Sequence, residues 1–255
     1  MRGIKLVLAL FMVLVVVGCT TKGSQPESNK TVAYEAYSQL GFQYLQSGDT
    51  VTAKQSFQRS IELNSGYAEA YNGLALTFQL EGDDDLAEKY FRKATSVAPD
   101  SAMVHNNFGA FLFSNERYAE ACEELARATE DPFYNLRSQA FENLGRCYRL
   151  LERNEASKHA FKRALQVTAN RPVSLVELSD LYLLEGNYLE AENYFDRFLA
   201  LVENRRVDHY AKSLWVGIRL ARHNREATRA ATFALILKNL YPDSKEYREY
   251  EESAR

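Results

Sequence analysis

Glycine and proline are scarce in this chain, which has 12 glycines and 5 prolines among 255 residues. Long disordered linkers are rich in such residues, so their scarcity argues against linkers between folded parts. One polar stretch that includes Gly, Ser, Pro and Asn, residues 20–31, is the exception. No later segment is apolar enough to cross a bilayer as a helix. The composition therefore indicates one large domain or a repeat array behind a short flexible segment.

The chain also lacks an excess of either charge. It has 31 Lys and Arg against 34 Asp and Glu, which gives a formal net charge of -3. A nucleic-acid-binding protein needs a concentrated basic face. We therefore expect no nucleic-acid partner.

Signals of catalysis or metal binding are equally sparse. The sequence has no Gly-rich phosphate loop, no Cys-x-x-Cys and no Gly-x-Ser-x-Gly motif. His105 occupies an otherwise apolar position, which predicts a core residue, and Glu123 and Glu124 are predicted on a solvated helix face. The four histidines lie far apart in sequence: His105, His159, His209 and His223. We expect no catalytic residue, no enzyme activity, no metal site and no small-molecule substrate.

The first apolar run of the chain ends at a cysteine. Arg2 and Lys5 precede twelve apolar residues, 6–17, which are followed by Gly18 and Cys19. This run suits a secretory signal peptide better than a membrane-spanning helix. Its end resembles a bacterial lipobox, which implies cleavage after residue 18, a covalent lipid on Cys19 as the sole attached group and a tether over 19–33. An ordinary signal peptide and an uncut apolar anchor are the alternatives.

The rest of the chain is self-similar. Apolar and small residues recur in a fixed order from starts near 34, 68, 102, 138, 172 and 208, which are 34 or 36 residues apart. The pattern resembles the tetratricopeptide repeat (TPR), in which two antiparallel helices form each unit. The resemblance implies an all-α fold, a right-handed α-solenoid of about six repeats over 34–247, with a C-terminal tail at 248–255.

Glycines and acidic residues mark the turns of this pattern. Gly48, Gly82 and Gly186 are placed to end the first helix of their repeats with a positive φ. Asp49 and the acidic run 83–85 follow two of these glycines, where carboxylates cap the next helix. The acidic run is therefore predicted to cap a helix and not to bind calcium, whose loops need more widely spaced oxygen ligands.

In TPR arrays the first helices line a concave groove, to which positions 2, 5, 9, 12 and 13 of each repeat are directed. Amides there can pair with a peptide backbone while apolar pockets take its side chains, so we expect a peptide or an amphipathic helix as ligand. Alternatively, the apolar groups pack beneath the neighbouring repeat. The Lys/Asn set that clamps a C-terminal carboxylate in some arrays is absent. The candidate groove residues are Phe42, Leu45, Asn72, Leu76, Leu80, Asn106 and Phe113.

Two cysteines, Cys122 and Cys147, follow Cys19. In an oxidising compartment they can form a disulfide, which would close about 25 residues and stabilise the fold by on the order of 3 kcal/mol. They can equally be small buried residues on two helices, as cysteines often are.

Five segments resemble one family more specifically than the repeat consensus does. They are residues 105–112 (HNNFGAFL), 131–134 (DPFY), 142–147 (ENLGRC), 213–219 (SLWVGIR) and 237–244 (LKNLYPDS). With the lipobox, they are similar to the type IV pilus biogenesis/stability TPR lipoproteins, the pilotins of the pilus secretin. Many members place the first of two cysteines where this chain has Phe113, so Cys122 departs from the family pattern.

The resemblance implies a function for the chain. The lipid would hold the protein at the outer membrane, facing the periplasm, and the array would bind secretin subunits and promote their multimerisation for pilus biogenesis and twitching motility. Two other anchored arrays are alternatives: an adaptor of β-barrel assembly and a scaffold for peptidoglycan hydrolases.

Overall fold

The computed structural model of the chain describes residues 27–253, which form thirteen α-helices and no strand. None of these helices combines the length and the apolarity needed to cross a membrane. Their bounds are α1 Glu27–Gln46, α2 Thr50–Leu63, α3 Ala68–Glu81, α4 Asp84–Val97, α5 Ala102–Ser114, α6 Tyr118–Ala128, α7 Arg137–Leu150, α8 Asn154–Val167, α9 Pro172–Leu184, α10 Tyr188–Glu203, α11 Ala211–His223, α12 Ala227–Leu240 and α13 Lys245–Ser253.

The helices α1 to α12 form six consecutive pairs, and each pair is one repeat. Within a pair the helices are joined by a tight turn and are in extensive contact, and each pair contacts the next. The chain is therefore the all-α TPR solenoid that the sequence predicted. Its core runs along the stack as a series of apolar clusters between neighbouring helices.

Small residues let the two helices of a repeat approach each other. In the fourth repeat, a Cβ atom at Gly145 would lie 2.7 Å from Cε1 of Phe161, and in the first repeat a Cβ at Gly41 would lie 2.6 Å from Cε1 of Phe57. Both phenylalanine rings are fully buried. A larger residue at either glycine would force the ring out of its place, which explains the small residue in each repeat.

The turns inside the repeats follow the predicted chemistry. Gly82 has φ +77° and ends α3, and the Asp83 carboxylate caps α4 by accepting a hydrogen bond from the Leu86 N–H at 3.1 Å. The capping role predicted for the acidic run is therefore confirmed at Asp83. The third, fourth and sixth repeats lack the glycine, yet Glu116, Glu152 and Arg225 adopt the same left-handed conformation there.

The predicted register of the sixth repeat is wrong by two residues. A start at 208 aligns Trp215 with the small residues of the other repeats. In the structure that role belongs to Gly217, where a Cβ would lie 2.8 Å from Cε2 of Phe233. Phe233 thus matches Phe161, and the repeat starts at 210. The longer connection after α10 caused the error, because its residues 204–210 carry no periodic signal.

Both ends of the array are more helical than predicted. The helix α1 already begins at Glu27, inside the predicted tether 19–33, because residues 27–33 contain neither Gly nor Pro and follow Pro26. The helix α13 runs through the predicted tail, 248–255, as far as Ser253. Its Tyr250 ring packs edge-on against Trp215 at 6.4 Å, so α13 covers the last repeat. The predicted signal peptide, 1–18, and the predicted lipidation site, Cys19, lie outside the described residues.

Candidate peptide-binding surface

The first helices of the repeats form one continuous concave face. Neighbouring first helices, from α1 with α3 to α9 with α11, approach each other closely. The second helices of neighbouring repeats do not, over residues 27–253. The stack is therefore tighter on the side of the first helices and curves toward it, which makes that side the concave one.

Asparagines cross this face from repeat to repeat. The Nδ2 of Asn107 donates to Oδ1 of Asn72 at 3.1 Å, and the Nδ2 of Asn143 donates to Oδ1 of Asn106 at 3.3 Å. Asn72 and Asn106 are buried. They were predicted to face a peptide, but in the structure their carbonyl oxygens accept hydrogen bonds from the next repeat. The Nδ2 of Asn72 has no partner among the described residues.

The five apolar candidates keep part of their surface exposed. Phe42, Leu45, Leu76 and Phe113 are half-buried, and Leu80 is 60% exposed. The Phe42 ring packs edge-on against the buried Phe57 ring at 5.0 Å, so it belongs to both the core and the concave face. Phe42 and Leu45 pack against one buried cluster of the core, and Leu76 and Phe113 pack against another. These four side chains therefore contribute to the core and also present apolar surface.

A cavity of about 200 Å³ opens between α5 and α7. Its lining residues are Ala110, Phe113, Leu125, Asn143 and Arg146. The guanidinium of Arg146 lies over the Phe113 ring, 5.5 Å from its centre. The cavity is thus apolar at its base and carries an amide and a cation at its rim.

Toward the C-terminal end, the concave face becomes a network of ion pairs. Asp180 is 5% exposed and is contacted by the guanidinium of Arg149, by Nη1 of Arg219 at 2.6 Å and by Nζ of Lys212 at 3.4 Å. Lys212 also pairs with Glu177 at 2.7 Å. Each charged side chain of this network therefore has an oppositely charged partner, which a buried charge needs.

A second buried carboxylate joins the fourth and fifth repeats. Glu142 pairs with Arg171 at 2.5 Å and accepts hydrogen bonds from the backbone N–H and the hydroxyl of Ser174. Glu142 and Arg149 are therefore occupied by contacts within the chain. Arg146 forms no ion pair with a described residue.

A disulfide joins Cys122 on α6 to Cys147 on α7, with their Cα atoms 5.7 Å apart. Both residues are buried. Of the two alternatives that the sequence left open, the structure contains the bridge. It joins the two helices that carry Leu125 and Arg146, which line the cavity. The bond therefore fixes the spacing between the third and fourth repeats where the cavity opens.

His105 is a core residue, as predicted, but its partner was not foreseen. Its Nδ1 lies 2.6 Å from Oε2 of Glu124 and its Nε2 lies 2.7 Å from the carbonyl oxygen of Pro99. Glu124 was predicted on a solvated face and instead turns inward to this imidazole. Burial lowers the pKa of His105, but the Glu124 carboxylate and the Pro99 carbonyl more than compensate, so its pKa is raised.

Sequence reasoning did not single out Asn143. The signal was present, because Asn107 and Asn143 both occupy position 6 of their repeats, while Asn72 and Asn106 occupy position 5. Amides at adjacent positions of successive repeats meet when first helices stack side by side. Among residues 27–253, no group of three His, Cys, Asp or Glu side chains is arranged to hold a metal ion.

Comparison with known proteins shows the family to which the chain belongs. The tetratricopeptide-repeat model matches residues 68–101, 138–171 and 174–207. The chain is 35% identical to the type IV pilus assembly protein PilF of Pseudomonas aeruginosa over 252 residues, which are 97% of this chain and 98% of PilF.

Solved structures of similar proteins have the same fold. The structure of Pseudomonas aeruginosa PilF superposes with a TM-score of 0.79 and 36% identity, over 88% of this chain and 99% of PilF. The crystal structure of PilW, a widely conserved type IV pilus biogenesis factor, superposes with a TM-score of 0.69 and 27% identity, over 85% of this chain and 97% of PilW. MamA, at 19% identity and a TM-score of 0.57, shares the fold. The chain therefore belongs to the type IV pilus biogenesis family of TPR proteins that includes PilF and PilW.

Proposed function

We propose that the chain is the pilotin of a type IV pilus secretin. A lipid on Cys19 anchors it in the outer membrane, and the array faces the periplasm. The concave face binds secretin subunits, brings them to the outer membrane and promotes their multimerisation into the ring through which the pilus passes. Loss of this step stops pilus biogenesis and twitching motility.

The concave face is the observation that carries the proposal. Leu80 is 60% exposed there, and Phe42, Leu45 and Leu76 present part of their surface beside it. Exposed apolar side chains on one face are typical of a protein-binding site. Family membership supports the pilus as the setting of that binding.

The anchor rests on the sequence of the N-terminal segment. The lipobox ends at Cys19, and position 20 is Thr and not the Asp that retains lipoproteins at the inner membrane. Acyl chains such as palmitate bind a bilayer by about 0.8 kcal/mol for each buried methylene group. Residues 20–26 then separate the lipid from α1.

Deletion of the gene tests the proposal. We expect twitching and heat-stable secretin multimers to be lost while porin levels stay normal, and a copy of the wild-type gene to restore both. Normal multimers with depleted porins would instead identify an adaptor of β-barrel assembly. Normal multimers and normal porins with altered cell-wall hydrolysis would identify a scaffold for peptidoglycan hydrolases.

The Cys19→Ala variant separates delivery from binding. It keeps the whole array, so we expect it to co-purify with secretin subunits but to leave them outside the outer membrane. Thr20→Asp is expected to act in the same way by retaining the protein at the inner membrane. Full pilus assembly with Cys19→Ala would show that the lipid has no part in delivery.

A further inference from the structure

We propose that the cavity between α5 and α7 binds an extended segment of the partner in which an apolar side chain adjoins a carboxylate. The apolar side chain enters the cavity and the carboxylate pairs with Arg146. If the proposed function holds, the segment belongs to the secretin. The inference adds a location and a chemical class to the binding that the proposed function requires.

The cavity exists because one repeat carries a smaller residue than its neighbours. Position 9 is Phe42 in the first repeat and Leu76 in the second, and both fill the concave face at that point. In the third repeat the same position is Ala110, whose methyl group leaves a space that reaches down to Leu125. The space, about 200 Å³, is smaller than the roughly 300–1,000 Å³ of a typical small-molecule site. Its size suits one large apolar side chain.

Arg146 supplies the charge at the rim. The other cations nearby are occupied: Arg149 contacts Asp180, and Arg171 contacts Glu142. Arg146 is exposed, has no ion pair with a described residue and lies over the Phe113 ring, 5.5 Å from its centre. The cation–π contact with Phe113 restrains the guanidinium, and a guanidinium can bind a carboxylate through two parallel hydrogen bonds.

Asn143 supplies a contact for the backbone of the segment. It lines the cavity, and its Nδ2 donates to Asn106, which fixes the orientation of the amide. Its Oδ1 accepts no hydrogen bond from a described residue and is available as an acceptor. An extended chain has free N–H groups to donate to such an oxygen, whereas a helix uses its own N–H groups internally. This favours an extended ligand at this point of the groove.

Short peptides test the chemistry directly. The probes are N-acetylated six-residue peptides of Gly and Ser around a central 4-fluorophenylalanine followed by Asp or by Asn. A further pair ends in 4-fluorophenylalanine as a free carboxylate or as an amide. Binding to the full chain in detergent micelles is measured by ¹⁹F NMR titration. We expect the Asp peptide to bind at least tenfold more tightly than the Asn peptide, or the free carboxylate more tightly than the amide. Tighter binding of the Asp peptide would identify the carboxylate as that of a side chain. Tighter binding of the peptide with a free C-terminus would identify it as that of a chain end.

Two variants locate the binding. Ala110→Leu places at this exposed position the same residue type that the second repeat has at Leu76. It should weaken the binding of the carboxylate peptides at least tenfold. Arg146→Gln should bring the ratio of the affinities for the carboxylate and neutral peptides close to one. Leu189→Asp, on the exposed start of α10, is the control and should change neither. Circular dichroism verifies that each variant is folded.

The outcomes for the cavity and for the proposed function are distinct. If no peptide binds, or if Ala110→Leu binds as the wild type does, the inference is overturned. Secretin that co-purifies equally with the wild type and Ala110→Leu also overturns it, but leaves the proposed function standing. If the peptides behave as expected and no secretin co-purifies with the wild type, the cavity assignment stands and the proposed function fails.

Discussion

His105 and Glu124 form a buried ion pair, with Nδ1 of the imidazole 2.6 Å from Oε2 of the carboxylate. The second ring nitrogen lies 2.7 Å from the Pro99 carbonyl oxygen. Both ring neighbours are acceptors, so both ring nitrogens donate and the imidazolium form is favoured. The pair connects the first and second helices of the third repeat and the turn before them.

This geometry predicts a pH dependence of stability. The pKa of His105 is raised above its ordinary 6.5, so the contribution of the pair is fully present below 6.5 and is lost as pH rises through the folded-state pKa. Urea unfolding of the wild type and His105→Gln between pH 5.5 and 9 measures it. We expect the difference in free energy of unfolding between the two proteins to shrink as pH rises. A difference that stays constant over this range would contradict the ion pair.

The left-handed turn residue of the fourth repeat predicts a stabilising substitution. Glu152 has φ +57°, in the place where the second repeat has Gly82 at +77°. The left-handed conformation is strained for a residue with a Cβ, so Glu152→Gly should raise the free energy of unfolding by about 0.5–1 kcal/mol. Gly82→Ala is the reverse control and should lower it by about 1 kcal/mol. Thermal and urea unfolding measure both, and a destabilised Glu152→Gly would show that its side chain has another role.

The disulfide predicts a loss of stability on reduction. Cys122 and Cys147 are 25 residues apart. In the chain-entropy model, closing a loop of that length stabilises the folded protein by about 3 kcal/mol. We expect a reductant, or the double variant Cys122→Ala with Cys147→Ala, to lower the free energy of unfolding by about 2–4 kcal/mol. Urea unfolding with and without reductant measures it, and the double variant should not respond to reductant. Titration of two thiols at these positions in unfolded, unreduced protein would rule the bond out.

Among the polar residues, we expect substitution of Asp180 to lower the free energy of unfolding most. Its carboxylate compensates Arg149, Lys212 and Arg219. Asp180→Ala leaves Arg219 with no carboxylate partner among the described residues, and leaves Arg149 and Lys212 to share Glu177. We expect a loss of about 3–5 kcal/mol in the free energy of unfolding. Asp196→Ala, an exposed aspartate on α10, is the matched control and should stay within about 0.5 kcal/mol of the wild type. Equal effects of the two changes would show that the network contributes nothing.

Local patterns made most of the fold predictable. Helix pairs, their spacing and their turns follow from apolar periodicity, from glycines such as Gly82 and from caps such as Asp83, all of which act within one repeat. The sixth repeat was misaligned because the long connection before Gly217 breaks the period. The helix α13 was missed because its role depends on Trp215, thirty residues earlier in the chain.

The binding face was only partly predictable, because contacts between repeats decide which side chains stay available. Asn72 and Asn106 were correctly placed on the first helices, but their hydrogen bonds come from Asn107 and Asn143 in the next repeat. Arg149 also lies on a first helix, but Asp180 neutralises it from another helix. No periodicity within one repeat contains this information.

The amount of heat-stable secretin multimer in cells measures whether the secretin binds at the concave face. Leu80→Asp and Leu189→Asp place the same charge on exposed leucines, the first on the concave face and the second away from it. Both variants should fold and reach wild-type levels. We expect Leu80→Asp to lose the multimers and Leu189→Asp to keep them. Wild-type multimer levels with folded Leu80→Asp would contradict binding of the secretin at the concave face.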